Sequence, residues 1–105
     1  MIKINGNKVE VGHFPDNSSL IRFTPPTRVF DITWLYENDE EQVILYYLVK
    51  HLNRLGYKDL SLTLPYIPNA RMDRVKGREE VFTLKYFASF LNDLNFVTVK
   101  VLDPH

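Results

Sequence analysis

From residue 28 onward the apolar residues of this 105-residue chain change period four times, and that alternation limits the fold more than any other feature. The run "RVFDITW" (28–34) is dominated by β-branched and aromatic residues, the composition of a strand. Ile44, Leu48, Leu52 and Leu55 then recur at helical spacing, with Asn38 and Glu41 three apart ahead of them and Gly56 behind. This pattern predicts a capped helix over about residues 39–55. "LSLTL" (60–64) is again β-type, Leu84, Phe87, Ala88, Leu91 and Leu94 mark a second helix, and "VTVKVL" (97–102) is a last strand. Strand, helix, strand, helix, strand implies two right-handed crossovers and a parallel sheet flanked by helices, an α/β fold.

The first third of the chain has a different style. "IKI" and "VEV" meet around Asn5-Gly6-Asn7, a hairpin signal, and "LIRFT" follows before Pro25-Pro26. An N-terminal antiparallel hairpin portion, a small meander continuing into "RVFDITW", is the expectation. With 45% hydrophobic residues the 105 positions support one domain and one core. Thirteen basic residues balance thirteen acidic ones, so no global field draws the chain to nucleic acid or to an anionic membrane. No apolar run approaches the roughly 20 residues that span a bilayer, and "MIKINGNKVEV" lacks the layout of a secretion signal. Cysteine is absent, which removes disulfides and thiolate metal sites. A cytoplasmic location is the default expectation, with neither nucleic acid nor membrane as partner.

In a parallel α/β sheet, ligands bind beyond the carboxyl ends of the strands. Two unusual polar segments fall there. "LPYIPNARMDRVKGREE" (64–80) follows the second parallel strand and holds two prolines, four basic residues and three acidic ones. As a strand-to-helix connection it is long, and such length accompanies binding loops. The other segment is "DPH" (103–105). Taken alone, these residues admit two readings. Arg71 and Arg74 suit phosphate oxygens through their planar forks, or they pair with Asp73 and Glu79 as surface cations. Asp103 and His105 share strand parity and can point to one side of the sheet, or they are a strand-ending aspartate and a terminal histidine. Phe14 either stacks on a ligand ring or plugs the surface. Tyr46, Tyr47, Phe82, Tyr86 and Phe90 are expected to pack the helices on the sheet, with surplus apolar area on the second helix suited to a subunit contact.

"LPYIPNARMDR", a helix, and then "VKVLDPH" resembles the nucleotide-binding region of the ribose-phosphate diphosphokinases, the phosphoribosyl pyrophosphate synthetases. Their form there is a proline-tyrosine segment, Ala-Arg-Gln-Asp-Arg or Lys, a helix, and a strand ending in Asp-Leu-His. "HFPDNSS" (13–19) is similar to the family's Phe-x-Asp-Gly-Glu segment, and the likeness runs from about Lys8 to the end. The resemblance implies the N-terminal domain of such an enzyme, with a phosphoribosyltransferase-like parallel sheet. It implies ATP as ligand, bound by Arg71, Asp73, Arg74, Phe14 and Asp16, the last two at the base end and partly across a subunit contact. Mg2+ falls to Asp103 and His105, and a homo-oligomer is the implied assembly. Three positions depart from the family pattern: Met72 stands for its Gln, Ser18 for its Glu, and Pro104 for its Leu. The family's Thr-Gly-Gly-Thr loop for ribose 5-phosphate, part of a C-terminal domain, is absent from these 105 residues. This chain alone is therefore expected to be inactive. The alternative expectation is a non-catalytic nucleotide-sensing or oligomerisation homologue. An unrelated doubly wound nucleotide binder fits less well, because four glycines build no Gly-rich phosphate loop.

Overall fold

The computed structural model describes residues 1–29, 31–69 and 77–103, with Asp103 described through its backbone alone. Its elements are β1 (Ile2–Ile4), β2 (Asn7–Lys8), β3 (Glu10–His13), β4 (Ser19–Arg22), β5 (Ile32–Trp34), α1 (Glu40–Arg54), β6 (Ser61–Tyr66), α2 (Thr83–Asp93) and β7 (Thr98–Asp103). The main sheet has the order β2-β1-β5-β6-β7. Within it β5, β6 and β7 run parallel, as the alternation of periods predicts, while β1 is antiparallel to both its neighbours.

The N-terminal portion is antiparallel but is not a continuous meander. β1 pairs with β5, setting Ile2 opposite Trp34 and Ile4 opposite Ile32, with all four side chains buried. The run "VEV" is split: Val9 drops into the core and its N–H bonds the Ile2 carbonyl at 2.9 Å, whereas Glu10 and Val11 leave to pair with β4 in a separate two-stranded sheet. Burying the apolar face of β1 against β5 outweighs the local hairpin preference, and only Asn7 and Lys8 remain paired across the Asn5-Gly6 turn.

Both helices cover the face that carries Trp34. The Trp34 ring lies 5.7 Å from that of Phe87 on α2, and its indole N–H donates to Glu41 on α1 at 3.3 Å. Ile44, Leu45, Leu48, Val49 and Leu52 form the buried stripe of α1. Leu55, expected to continue it, is exposed, because the helix has ended: Gly56 takes a φ of 104° and the Tyr57 N–H reaches back to the Leu52 carbonyl at 2.9 Å. That is a Schellman-type stop. At the other end the Asn38 side chain accepts the Glu41 N–H at 3.2 Å, as expected of a cap. Glu41 does not return the bond to Asn38; its carboxylate accepts the Glu37 N–H at 2.7 Å.

On α2, Phe87 is buried and Phe90 and Leu91 pack against the core, while Ala88 is exposed. The expected inward stripe thus holds at Phe87, Leu91 and Leu94, with Phe90 added to it and Ala88 left outside. Tyr46, Tyr47 and Tyr86 do not pack the helices on the sheet; all three stand on the outer helical surface. β6 runs two residues beyond the expected "LSLTL". Pro65 is tolerated there because β5 pairs with β6 only at Leu62 and Thr63, so no partner on that side requires its missing N–H.

Candidate functional site

The three parallel strands end on one side of the molecule, and the extra length of β6 decides what meets there. Tyr66 lies opposite Asp103 in the β6–β7 ladder, so the entrance to the 65–78 connection and the end of β7 are adjacent. The Tyr66 hydroxyl donates to the Tyr36 carbonyl at 2.5 Å, tying the end of β6 to the segment after β5. The Tyr36 hydroxyl in turn donates to the Asp39 carboxylate just ahead of α1. Sequence reasoning assigned no role to Tyr36, Tyr66 or Asp39. Tyr66 could have been singled out as a polar-tipped aromatic at a strand end.

The hydrogen bond to Asp39, with partial burial and nearby negative charge, pushes the Tyr36 phenol up from 10.0 to about 12. The folded state therefore holds this proton more tightly than the unfolded chain does. The bond contributes fully below pH 10 and its contribution is lost as pH rises through about 12. Thermal melts from pH 8 upward should show wild type losing its advantage over Tyr36→Phe across that interval; a constant difference would remove the bond from the account.

The expected site residues fall in three groups. Arg71, Asp73, Arg74 and His105 lie outside the described residues, as do Met72 and Lys76. The backbone of Asp103 is the last residue of β7. Phe14 and Asp16 sit in the connection between β3 and β4. Phe14 is 48% exposed, so it does not plug the core. Asp16 accepts both the hydroxyl of Ser18 at 2.6 Å and its N–H at 3.0 Å, which hold its carboxyl below the ordinary range. Asn17, at a φ of 71°, completes this turn. Ser18, standing where the resemblance calls for Glu, is thus spent on the turn.

This loop is fixed to the carboxyl end of the sheet by Glu40. Its carboxylate receives the Ser19 hydroxyl at 2.7 Å and lies 2.6 Å from His13 Nε2, and these two contacts lower its pKa. His13, which had no partner identifiable in the sequence, is a latch residue for the hairpin. Among the described residues no three His, Asp or Glu side chains gather to hold a metal ion. None of the described helices is long and apolar enough to cross a membrane.

No family model matches the chain. A ribose-phosphate pyrophosphokinase of Saccharolobus solfataricus is 29% identical over 102 residues, which cover 93% of this chain and 35% of that protein. The crystal structure of phosphoribosylpyrophosphate synthetase from Mycobacterium smegmatis has a similar fold, with a TM-score of 0.68 and 19% identity over 90% of this chain and 33% of that one. The chain spans about a third of the length of each. The likeness read from "LPYIPNARMDR" and "VKVLDPH" is therefore supported both by a sequence relative and by the fold.

Proposed function

We propose that this relative of the ribose-phosphate pyrophosphokinases is the N-terminal ATP-binding and oligomerisation domain of such an enzyme. The complete enzyme transfers the diphosphoryl group of ATP to the anomeric hydroxyl of ribose 5-phosphate, and a cytoplasmic setting follows from the same reading. The observation that supports it best is the register of Tyr66 opposite Asp103, which brings the start of the arginine-bearing loop beside the backbone at the end of β7.

Arg71 and Arg74 bind the ATP phosphates as charge-assisted donors, and Asp73 orients the two guanidinium groups. Phe14 and Asp16 serve the base end of a nucleotide held by a neighbouring copy; the exposure of Phe14 suits that role. Asp103 is the metal ligand of this reading, with His105 as a weaker or indirect contributor. One carboxylate fits Mg2+, which takes the rest of its oxygen ligands from phosphates and water. When bound, Mg2+ neutralises phosphate charge. Ribose 5-phosphate binds residues that these 105 do not include. A second reading, a nucleotide-sensing or oligomerisation homologue without catalysis, is favoured by Met72 and by the commitment of Ser18 to the Asp16 turn.

The test is titration of ATP with magnesium and with excess chelator, on wild type and Asp103→Asn. Magnesium should tighten wild-type binding, and the variant should lose about tenfold of that affinity, the scale of one charge-assisted contact. An Asp103→Asn protein that keeps the full magnesium effect contradicts the metal assignment.

A further inference from the structure

The two faces of the main sheet are unequal. Both helices cover the face of Trp34, and among the described residues no helix covers the other. Parallel strands are normally buried on both sides, so a layer is missing here. The ladder registers lay one row of side chains across this bare face: Lys8, Lys3, Thr33, Thr63 and Lys100, one from each strand of the sheet. The alternate positions Ile2, Ile4, Ile32, Leu62 and Leu64 are buried on the helix side, so the row points away from the helices. Among the described residues none of the three lysines has an ion-pair partner. Lys3 and Lys8 stand directly opposite each other, which costs stability unless an anion lies over them. Asp31, one row back, is engaged by the Thr63 hydroxyl at 2.9 Å and the Thr33 hydroxyl at 3.0 Å. One row forward the face turns apolar, with Leu35, Pro65 and the exposed Leu102.

The handedness of the fold says where a cover can come from. The steps from β5 to β6 and from β6 to β7 cross the sheet in one direction, and right-handed crossovers in that direction place their helices on the Trp34 face. A further step beyond β7 would add its helix to the same face. A helix on the other face requires a crossover in the opposite direction, where the antiparallel β1 and β2 already occupy the sheet. The topology thus points to a separate polypeptide.

The row states the chemistry of that partner. Lys3 and Lys100 are three strand spacings apart, about 14 Å, and the gap admits a helix of about 10–12 Å diameter. The Asp31 carboxylate between their columns repels a lone phosphate. These rows carry no aromatic ring on which a base could stack, which disfavours a nucleic acid. We propose that this face docks an acidic amphipathic helix of a partner protein, laid along β5 and β6. Carboxylates on its two flanks reach Lys3 and Lys8 on one side and Lys100 on the other, and its apolar end meets Leu35, Pro65 and Leu102. This docking is independent of the nucleotide roles assigned above.

The probe is a synthetic helical peptide with a leucine stripe flanked by glutamates, titrated into the isotope-labelled chain and followed by NMR. Amide shifts should cluster at Lys3, Thr33, Thr63, Lys100 and Leu102, and the affinity should fall as salt is raised. Lys3→Glu and Lys100→Glu, both outside the buried core, should each weaken the peptide about tenfold or more, since each sets like charges against one another. The same peptide with lysine in place of every glutamate should not bind. Absent binding of the acidic peptide, shifts confined to other surfaces, equal binding of the lysine peptide, or unchanged affinity in both variants with wild-type melts overturns the proposal. An oligothymidylate strand that shifts the same amides at lower concentration than the acidic peptide also overturns it, and makes the row a nucleic-acid site.

Discussion

Trp34→Ala should lower stability by about 3–5 kcal/mol, the usual scale for deleting a fully buried indole. Trp34 has no exposed surface and joins three elements: it ends β5, touches Phe87 on α2 and donates to Glu41 on α1. Its removal leaves a cavity at the point where both helices meet the sheet, and it strips Glu41 of a donor. A domain of this size commonly has about 5–15 kcal/mol in total, so the variant should melt tens of degrees lower or fail to fold at room temperature. Tyr47→Ala, on the outer surface of α1, is the control and should stay within about 0.5 kcal/mol of wild type. Urea unfolding followed by circular dichroism measures both. A Trp34→Ala loss below about 1 kcal/mol would mean that α2 does not pack on β5 as described.

The parallel half of this fold is legible in the sequence because each element there carries its own period. Ile44, Leu48 and Leu52 point inward as their spacing requires, and Gly56 stops α1 where a positive φ is needed. The N-terminal half is less legible for a physical reason. Asn5-Gly6 announces a turn, and the turn forms, but strand pairing beyond it is decided by contacts with residues some thirty positions away. Nothing local says that Ile2 and Ile4 bury against Trp34 and Ile32, or that the chain after Val9 leaves the sheet. The inward direction of α2 is also ambiguous in sequence, since Tyr86, Phe87, Phe90 and Leu91 offer overlapping apolar faces; contact with Trp34 selects Phe87. Around the site, the motifs disclose which loop and strand end to consider. The ties made by Tyr66, Tyr36 and Asp39, and the latch of His13 and Ser19 on Glu40, depend on three-dimensional proximity that no spacing encodes.

The proposed function turns on the arginine-bearing connection after β6, in which the proposal has Arg71 and Arg74 hold phosphates at the strand ends. Arg71 should then matter to nucleotide binding far more than to folding. A loop arginine with surface partners contributes under about 1 kcal/mol to stability. A charge-assisted bond to phosphate contributes about 1.5–3 kcal/mol to binding, roughly tenfold or more in affinity. The measurement is calorimetric titration of Mg-ATP into wild type and Arg71→Ala, with thermal melts of both proteins in parallel. The account predicts an affinity loss of about tenfold or more at a nearly unchanged melting temperature. Equal Mg-ATP affinity together with a large fall in melting temperature would contradict it, and would make the loop a brace for the fold instead of a phosphate site.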